Sequence, residues 1–205
     1  AEDGGLLGSP ITELAAFHII FGKTVPDISL NAVANLGYAE GLFLKPVFVG
    51  DTLRSVSEII GLKENSNGKT GVVWVRTSGF NQHDEKVIEY VRWVMVRKRD
   101  NNSIKPETIV PSLKSHLDVE DLIIPKGLSF ENYNFELSGE NYCLNDYLVG
   151  EKINHVDGVT IEDAEHMMAT RIWQNTAKVH FDVTQRSDQS RLVYGGHIIS
   201  LARSL

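Results

Sequence analysis

Apolar residues are spread unevenly along the chain, and the first dense block lies at residues 10–21. Ile11, Leu14, Ala15, Phe17, Ile19, Ile20 and Phe21 cover nearly the whole circumference of a helix there, which predicts a buried helix rather than a surface one. Ser9 and Pro10 fit an N-cap and first helical position, and Gly22 fits a stop just past the end. Further on, strand-like segments at 53–61, 71–79 and 87–96 each run into turn-forming residues: Asn65-Ser66-Asn67-Gly68, Asn81-Gln82-His83-Asp84, and the polar stretch 97–102. An antiparallel meander follows from that spacing. In its last strand Val87, Val91, Trp93 and Met95 alternate with Ile88, Tyr90, Val94 and Val96, so both faces are largely apolar. One face is expected against the buried helix and the other against a partner subunit.

Between residues 101 and 141 the periodicity fades and Pro106, Pro111 and Pro125 punctuate the chain, which reads as a linker. Organisation returns near Tyr147, where Val149-Gly150-Glu151-Lys152 precedes Asp157-Gly158-Val159, and Thr160-Ile161-Glu162-Asp163 then resembles a capping box and predicts a helix over 161–173. Tyr194-Gly195-Gly196-His197 then opens an apolar helix over 198–205, in which the sequence stops without a capping signal. Phe17-His18-Ile19-Ile20 of the first helix recurs as Gly196-His197-Ile198-Ile199, a hint of a duplicated unit. On this reading residues 1–100 are a first unit lacking its N-terminal part, and 142–205 are the truncated start of a second.

With 42% hydrophobic and 23% charged residues, the 205-residue chain has the composition of a soluble globular protein. Lys and Arg number 20 against 27 Asp and Glu, a net charge of −7, and no basic run exceeds Arg97-Lys98-Arg99, so nucleic acid is disfavoured as a partner. No apolar stretch approaches the roughly 20 residues of a membrane span, and the acidic first residues do not resemble a secretory signal. Cys143 is the sole cysteine, which rules out an internal disulfide and a cysteine-based zinc site. A cytoplasmic location is expected.

Lys45-Pro46-Val47-Phe48-Val49-Gly50-Asp51-Thr52-Leu53, followed by Asn81-Gln82, resembles the strand-start and turn pattern of the MaoC-like dehydratases. The strings at 18–31, 61–73 and 171–182 extend that resemblance to hydratase members over most of the chain. The resemblance implies an α+β fold, a double hotdog in which an antiparallel sheet wraps a central helix. It also implies an acyl-CoA thioester substrate, with coenzyme A arriving as part of the substrate and no separate cofactor or metal. Hydratases of the family carry an Asp, four intervening residues and a His; here Asn175-Thr176-Ala177-Lys178-Val179-His180 occupies that place, so His180 matches and Asn175 replaces the acid. A glycine at the start of the following helix, Gly195 or Gly196, is implied as the donor to the thioester oxygen.

Hydrating an enoyl thioester requires a base for water at the β-carbon, a proton for the α-carbon and donors for the developing enolate oxygen. His180 suits the first task, since an ordinary imidazole is mostly neutral, and so able to accept a proton, at cytosolic pH. Either Asn175 orients the water while His180 alone moves protons, or a carboxylate such as Asp182 or Glu165 assists. Helix N-terminal N–H groups at Gly195 or Gly196 suit an oxyanion. Lys178, Arg171, Arg186 and Arg191 are candidates for the coenzyme A phosphates, and Tyr194 and His197 for the pocket wall, with His18 arguing that His197 is a packing residue. Trp74, Trp93 and Trp173 read as core or interface, and His83 and Asp51 as turn residues. A thioesterase of the same fold and a non-catalytic acyl-CoA-binding protein are the rival readings, and self-association into a homo-oligomer is expected from the apolar strand faces.

Overall fold

The computed structural model describes residues 8–124, 127–134, 142–156 and 158–204, with Ser204 in its backbone only. Pro125, Asp157, Leu205 and the acidic residues 1–7, which enter the sequence reading, lie outside them, as does the end of the expected linker. Helix α1 (Glu13–Thr24) is the axis of the fold. Ala16, His18, Ile20, Phe21, Gly22 and Thr24 are buried and only Glu13 and Lys23 are exposed, as an apolar circumference requires. The helix begins later than predicted, because Pro10 pairs with Phe48 and the Ile11 N–H donates to the Val47 carbonyl at 2.8 Å, which keeps the preceding residues extended. Gly22 does not end it. A β-carbon there would run into the Trp173 carbonyl, so the glycine permits a backbone approach in mid-helix, and α1 continues to Thr24 before a wider turn over Val25–Ser29.

Four antiparallel strands, β1 (Ala32–Phe43), β2 (Arg54–Glu64), β3 (Thr70–Phe80) and β4 (Lys86–Arg97), form one sheet in the order β1-β4-β3-β2. The three strands read from the sequence are β2 to β4. β1 escaped that reading because its register against β4 shifts three times, between Ala32 and Ala34, Asn35 and Gly37, and Ala39 and Leu42. Each shift resets which side chains face inward, so no period of two survives in the sequence. Ile88 and Tyr90 of β4 join Ala16, Ile20, Phe21 and Val25 in the core. A long antiparallel sheet laid on a central helix is the hotdog arrangement, and the chain is α+β.

The motif around Asp51 acts as a structural lock. The Asp51 carboxylate accepts the Phe48 N–H at 2.9 Å and the Gln82 side-chain amide at 2.7 Å, while Thr52 N–H donates to the Gln82 oxygen at 3.0 Å. Buried Asn81 accepts the N–H groups of His83 and Glu85 in the same turn, so Asp51 and His83 are turn residues as expected. The segment after β4 contains more than a linker. Ile109 exchanges two 2.8 Å backbone hydrogen bonds with Leu62 on β2, and Lys114 N–H donates to the Glu40 carboxylate on β1 at 3.1 Å. Those strands are the two edges of the sheet, so residues 109–114 cross its outer face as a strap, over part of the surface expected to meet a partner. Among the described residues no strand follows β4, and the α-helices that follow it are α2 (Asp163–Ile172) and α3 (Gly195–Ser204). Glu162, rather than Thr160, is the N-cap of α2, and no side-chain cap forms there.

Candidate active site

The loop that leaves α2 is folded on itself by local hydrogen bonds. Asn175 N–H donates to the Thr170 carbonyl and its side-chain oxygen accepts the Ala177 N–H, both at 3.1 Å, which turns the chain into the short helical turn Lys178–His180. Asn175 is buried, and among the described residues its Nδ2 has no hydrogen-bond partner. His180 is fixed from the other side: its Nδ1 lies 2.7 Å from the Leu192 carbonyl, and the Leu192 N–H returns a 2.9 Å bond to Val179. A carbonyl only accepts, so Nδ1 carries the hydrogen and Nε2 of the neutral ring keeps a lone pair. Burial lowers the His180 pKa below its ordinary 6.5, the bond to Leu192 opposes this, and neighbouring His166 adds to the lowering.

Tyr194 connects this loop to α3. Its ring centroid is 5.9 Å from that of His180, its hydroxyl is 3.2 Å from His18 Nδ1, and its burial raises the phenol pKa, so the side chain is neutral. Asn175, Lys178, His180, Tyr194 and Gly195 all line one cavity of about 560 Å³. The opposite wall comes from the first half of the chain, chiefly Phe21, Tyr38 and Arg92. Gly195 is the first residue of α3, where the N–H has no acceptor within the helix, and a β-carbon on it would meet nothing within 4 Å. Gly196 is different: a β-carbon there would lie 2.5 Å from the Tyr194 hydroxyl oxygen and 2.7 Å from His18 Cε1, so this glycine serves packing.

The remaining sequence candidates separate in the same way. His197 is buried outside the cavity. Arg171 also lies outside it, with its guanidinium 5.5 Å from the Phe181 ring centroid. Arg186 and Arg191 are held by Asp188 and Asp163, at 2.7 and 2.9 Å, which leaves exposed Lys178 as the one of those four cations on the cavity wall. Asp182 is occupied as a cap, accepting from Thr184 and Gln185, and neither it nor exposed Glu165 lines the cavity. Trp173 stacks on His18 at 5.1 Å, a packing role as expected. Arg92 was missed, although a lone cation in the middle of an apolar strand with two buried faces was the available signal. Among the described residues no group of three or more His, Cys, Asp or Glu could hold a metal ion, and no helix is long and apolar enough to cross a membrane.

An antiparallel sheet on a buried helix is the hotdog arrangement, and the chain belongs to the MaoC-like dehydratases. It is 66% identical over 201 residues to mesaconyl-CoA hydratase of Cereibacter sphaeroides, covering 98% of this chain and 59% of that protein. It is also 60% identical over 208 residues to beta-methylmalyl-CoA dehydratase of Chloroflexus aurantiacus, covering 100% of this chain and again 59% of the relative. The crystal structure of a MaoC domain protein dehydratase from Chloroflexus aurantiacus superimposes with a TM-score of 0.94 at 59% identity, over 99% of this chain and 59% of that one. A double-hotdog protein from Mycobacterium tuberculosis shares the fold at a TM-score of 0.65 and 22% identity, over 97% and 60% of the two chains. The chain thus spans about three fifths of the length of these relatives. No family model matches it.

Proposed function

We propose that the protein reversibly hydrates an enoyl-CoA, with mesaconyl-CoA giving β-methylmalyl-CoA as the first choice of substrate. The observation that carries this is the convergence of His180, Asn175 and Gly195 on one cavity in a chain 66% identical to a mesaconyl-CoA hydratase. In this reading Nε2 of His180 and Nδ2 of Asn175 hold a water against the β-carbon. His180 takes a proton as the C–O bond forms, the thioester oxygen gains negative charge opposite the Gly195 N–H, and the imidazolium then delivers the proton to the α-carbon. The sum is addition of one water, and the reverse order gives dehydration. Asn175 contributes orientation only, since an amide cannot accept the proton.

Lys178, at the exposed side of the cavity, is assigned to the coenzyme A phosphates. Exposed apolar side chains on β1, such as Leu36 and Phe43, support self-association, checked by sedimentation. A cytoplasmic location is part of the same reading. The test is to mix the purified protein with mesaconyl-CoA or crotonyl-CoA and follow thioesters by chromatography with mass detection. A hydrated, intact thioester is expected. Free coenzyme A would identify a thioesterase instead, and binding without turnover would identify an acyl-CoA-binding protein.

A further inference from the structure

Arg92 is among the least exposed side chains of the molecule, at 0% relative exposure, yet it lines the cavity that holds His180 and Gly195. Its guanidinium donates to Thr24 Oγ1 at 2.8 Å and Ser29 Oγ at 3.2 Å and lies 4.5 Å from the Phe21 ring centroid. Its Nε has no partner, and among the described residues no carboxylate is close enough to pair with it. The Thr24 hydroxyl is itself committed, donating to the Phe21 carbonyl at 2.7 Å, so it serves Arg92 as a neutral acceptor. Tyr90 and Tyr194 nearby are phenols that burial keeps protonated, and Tyr38, directly opposite on β1, is a neutral phenol as well, so none of them supplies negative charge. A guanidinium does not lose its proton, and a desolvated cation surrounded by hydroxyls and rings is left seeking an anion.

We infer that Arg92 binds a free carboxylate on the acyl part of the substrate, so that the site selects monothioesters of dicarboxylic acids over thioesters of plain fatty acids. The planar fork of N–H groups matches a carboxylate, and the hydroxyls of Thr24 and Ser29 hold that fork in place while only part of its donor set is used. The exposed cations of the cavity, Lys178 and Arg97, are available to phosphates that remain in water, whereas Arg92 is the buried cation of the same cavity, suited to a group that leaves water on binding. The inference rests on the enoyl-thioester reading and sharpens it. In mesaconyl-CoA the free carboxylate is carried by the β-carbon itself, so anchoring it fixes the carbon that water attacks. Pairing also removes the negative charge that would repel a nucleophile there.

The experiment compares wild-type protein with Arg92→Met and Arg92→Lys. Dissociation constants are measured by calorimetry for succinyl-CoA, which has the carboxylate, and butyryl-CoA, which lacks it, alongside kcat/KM for mesaconyl-CoA. Wild type is expected to prefer succinyl-CoA at least tenfold. Arg92→Met abolishes that preference and lowers kcat/KM for mesaconyl-CoA by 100-fold or more, while butyryl-CoA binding changes less than threefold; Arg92→Lys falls between. Equal losses for both thioesters, or a wild type without preference, overturn the inference. If Arg92→Met fails to fold by near-ultraviolet circular dichroism, the wild-type preference and Arg92→Lys decide it. A wild type that prefers succinyl-CoA but hydrates nothing would sink the hydratase reading and leave the Arg92 site standing.

Discussion

Nδ1 of His18, on the central helix, lies 3.2 Å from the hydroxyl of Tyr194, 176 residues further along the chain. The other ring nitrogen of His18 lies 2.7 Å from Ser200 Oγ on α3, and the Tyr194 ring reaches on to His180. A histidine with the look of a packing residue thus sets the position of the loop that carries the proposed base. Ser200 and Tyr194 can each donate or accept, so a neutral His18 satisfies both of its nitrogens without a charge. The recurrence of His-Ile-Ile around His18 and His197 therefore places the two copies on helices that pack together.

His18 makes stability depend on pH. Burial, and secondarily the nearby His197, lower its pKa from 6.5 to about 4. Between those values the unfolded chain binds a proton that the folded chain refuses, so stability is complete above about pH 6.5 and falls as the pH drops towards 4. The loss is on the order of 3 kcal/mol. Urea unfolding of wild type and His18→Gln at pH 7.5 and 5 is expected to show a steeper loss in wild type; parallel losses would contradict it.

His180→Gln should lower hydration by roughly 10²–10⁴-fold, because glutamine cannot cycle a proton, while acyl-CoA binding measured by calorimetry changes little. Turnover near the wild-type level would remove His180 from the mechanism.

The acid limb of kcat/KM is expected below the ordinary imidazole value. Burial holds the His180 pKa below 6.5, so the free enzyme keeps its base unprotonated further into acid than an exposed histidine would. A limb centred above 6.5, with a kinetic isotope control for the chemical step, would point to a different group.

The adjacent glycines give a paired test. Gly196→Ala forces a methyl group into the Tyr194 hydroxyl and His18 and should cost about 1–3 kcal/mol of stability. Gly195→Ala meets open space and should leave the melting temperature within a degree or two of wild type, with any effect confined to turnover. Similar melting shifts for both would mean that the start of α3 is arranged differently.

What could be read in the sequence follows the physics of each element. β2, β3 and β4 keep a regular register over most of their length, so their alternation survives in the residue order. β1 carries three register shifts, Gly37 set beneath the Trp93 ring, and Glu40 at φ 51°, features that need a partner strand to make sense. The strap is invisible because its two anchors, Leu62 and Glu40, lie far away in sequence. His180, Asn175 and Gly195, which share the cavity, could be picked out as candidates because they lie near one another along the chain. Arg92 had no such neighbours, and only burial without a counterion distinguishes it.

The two-walled cavity has a consequence for biosynthesis. The wall that contains Phe21, Tyr38 and Arg92 is complete once β4 has been made, whereas the wall that contains His180 and Tyr194 requires roughly a hundred more residues, about 5–20 s of ribosome time. During that interval the nascent sheet presents an uncovered apolar trough with a cation at its base, a surface that holding chaperones recognise and that neighbouring nascent chains can mispair with.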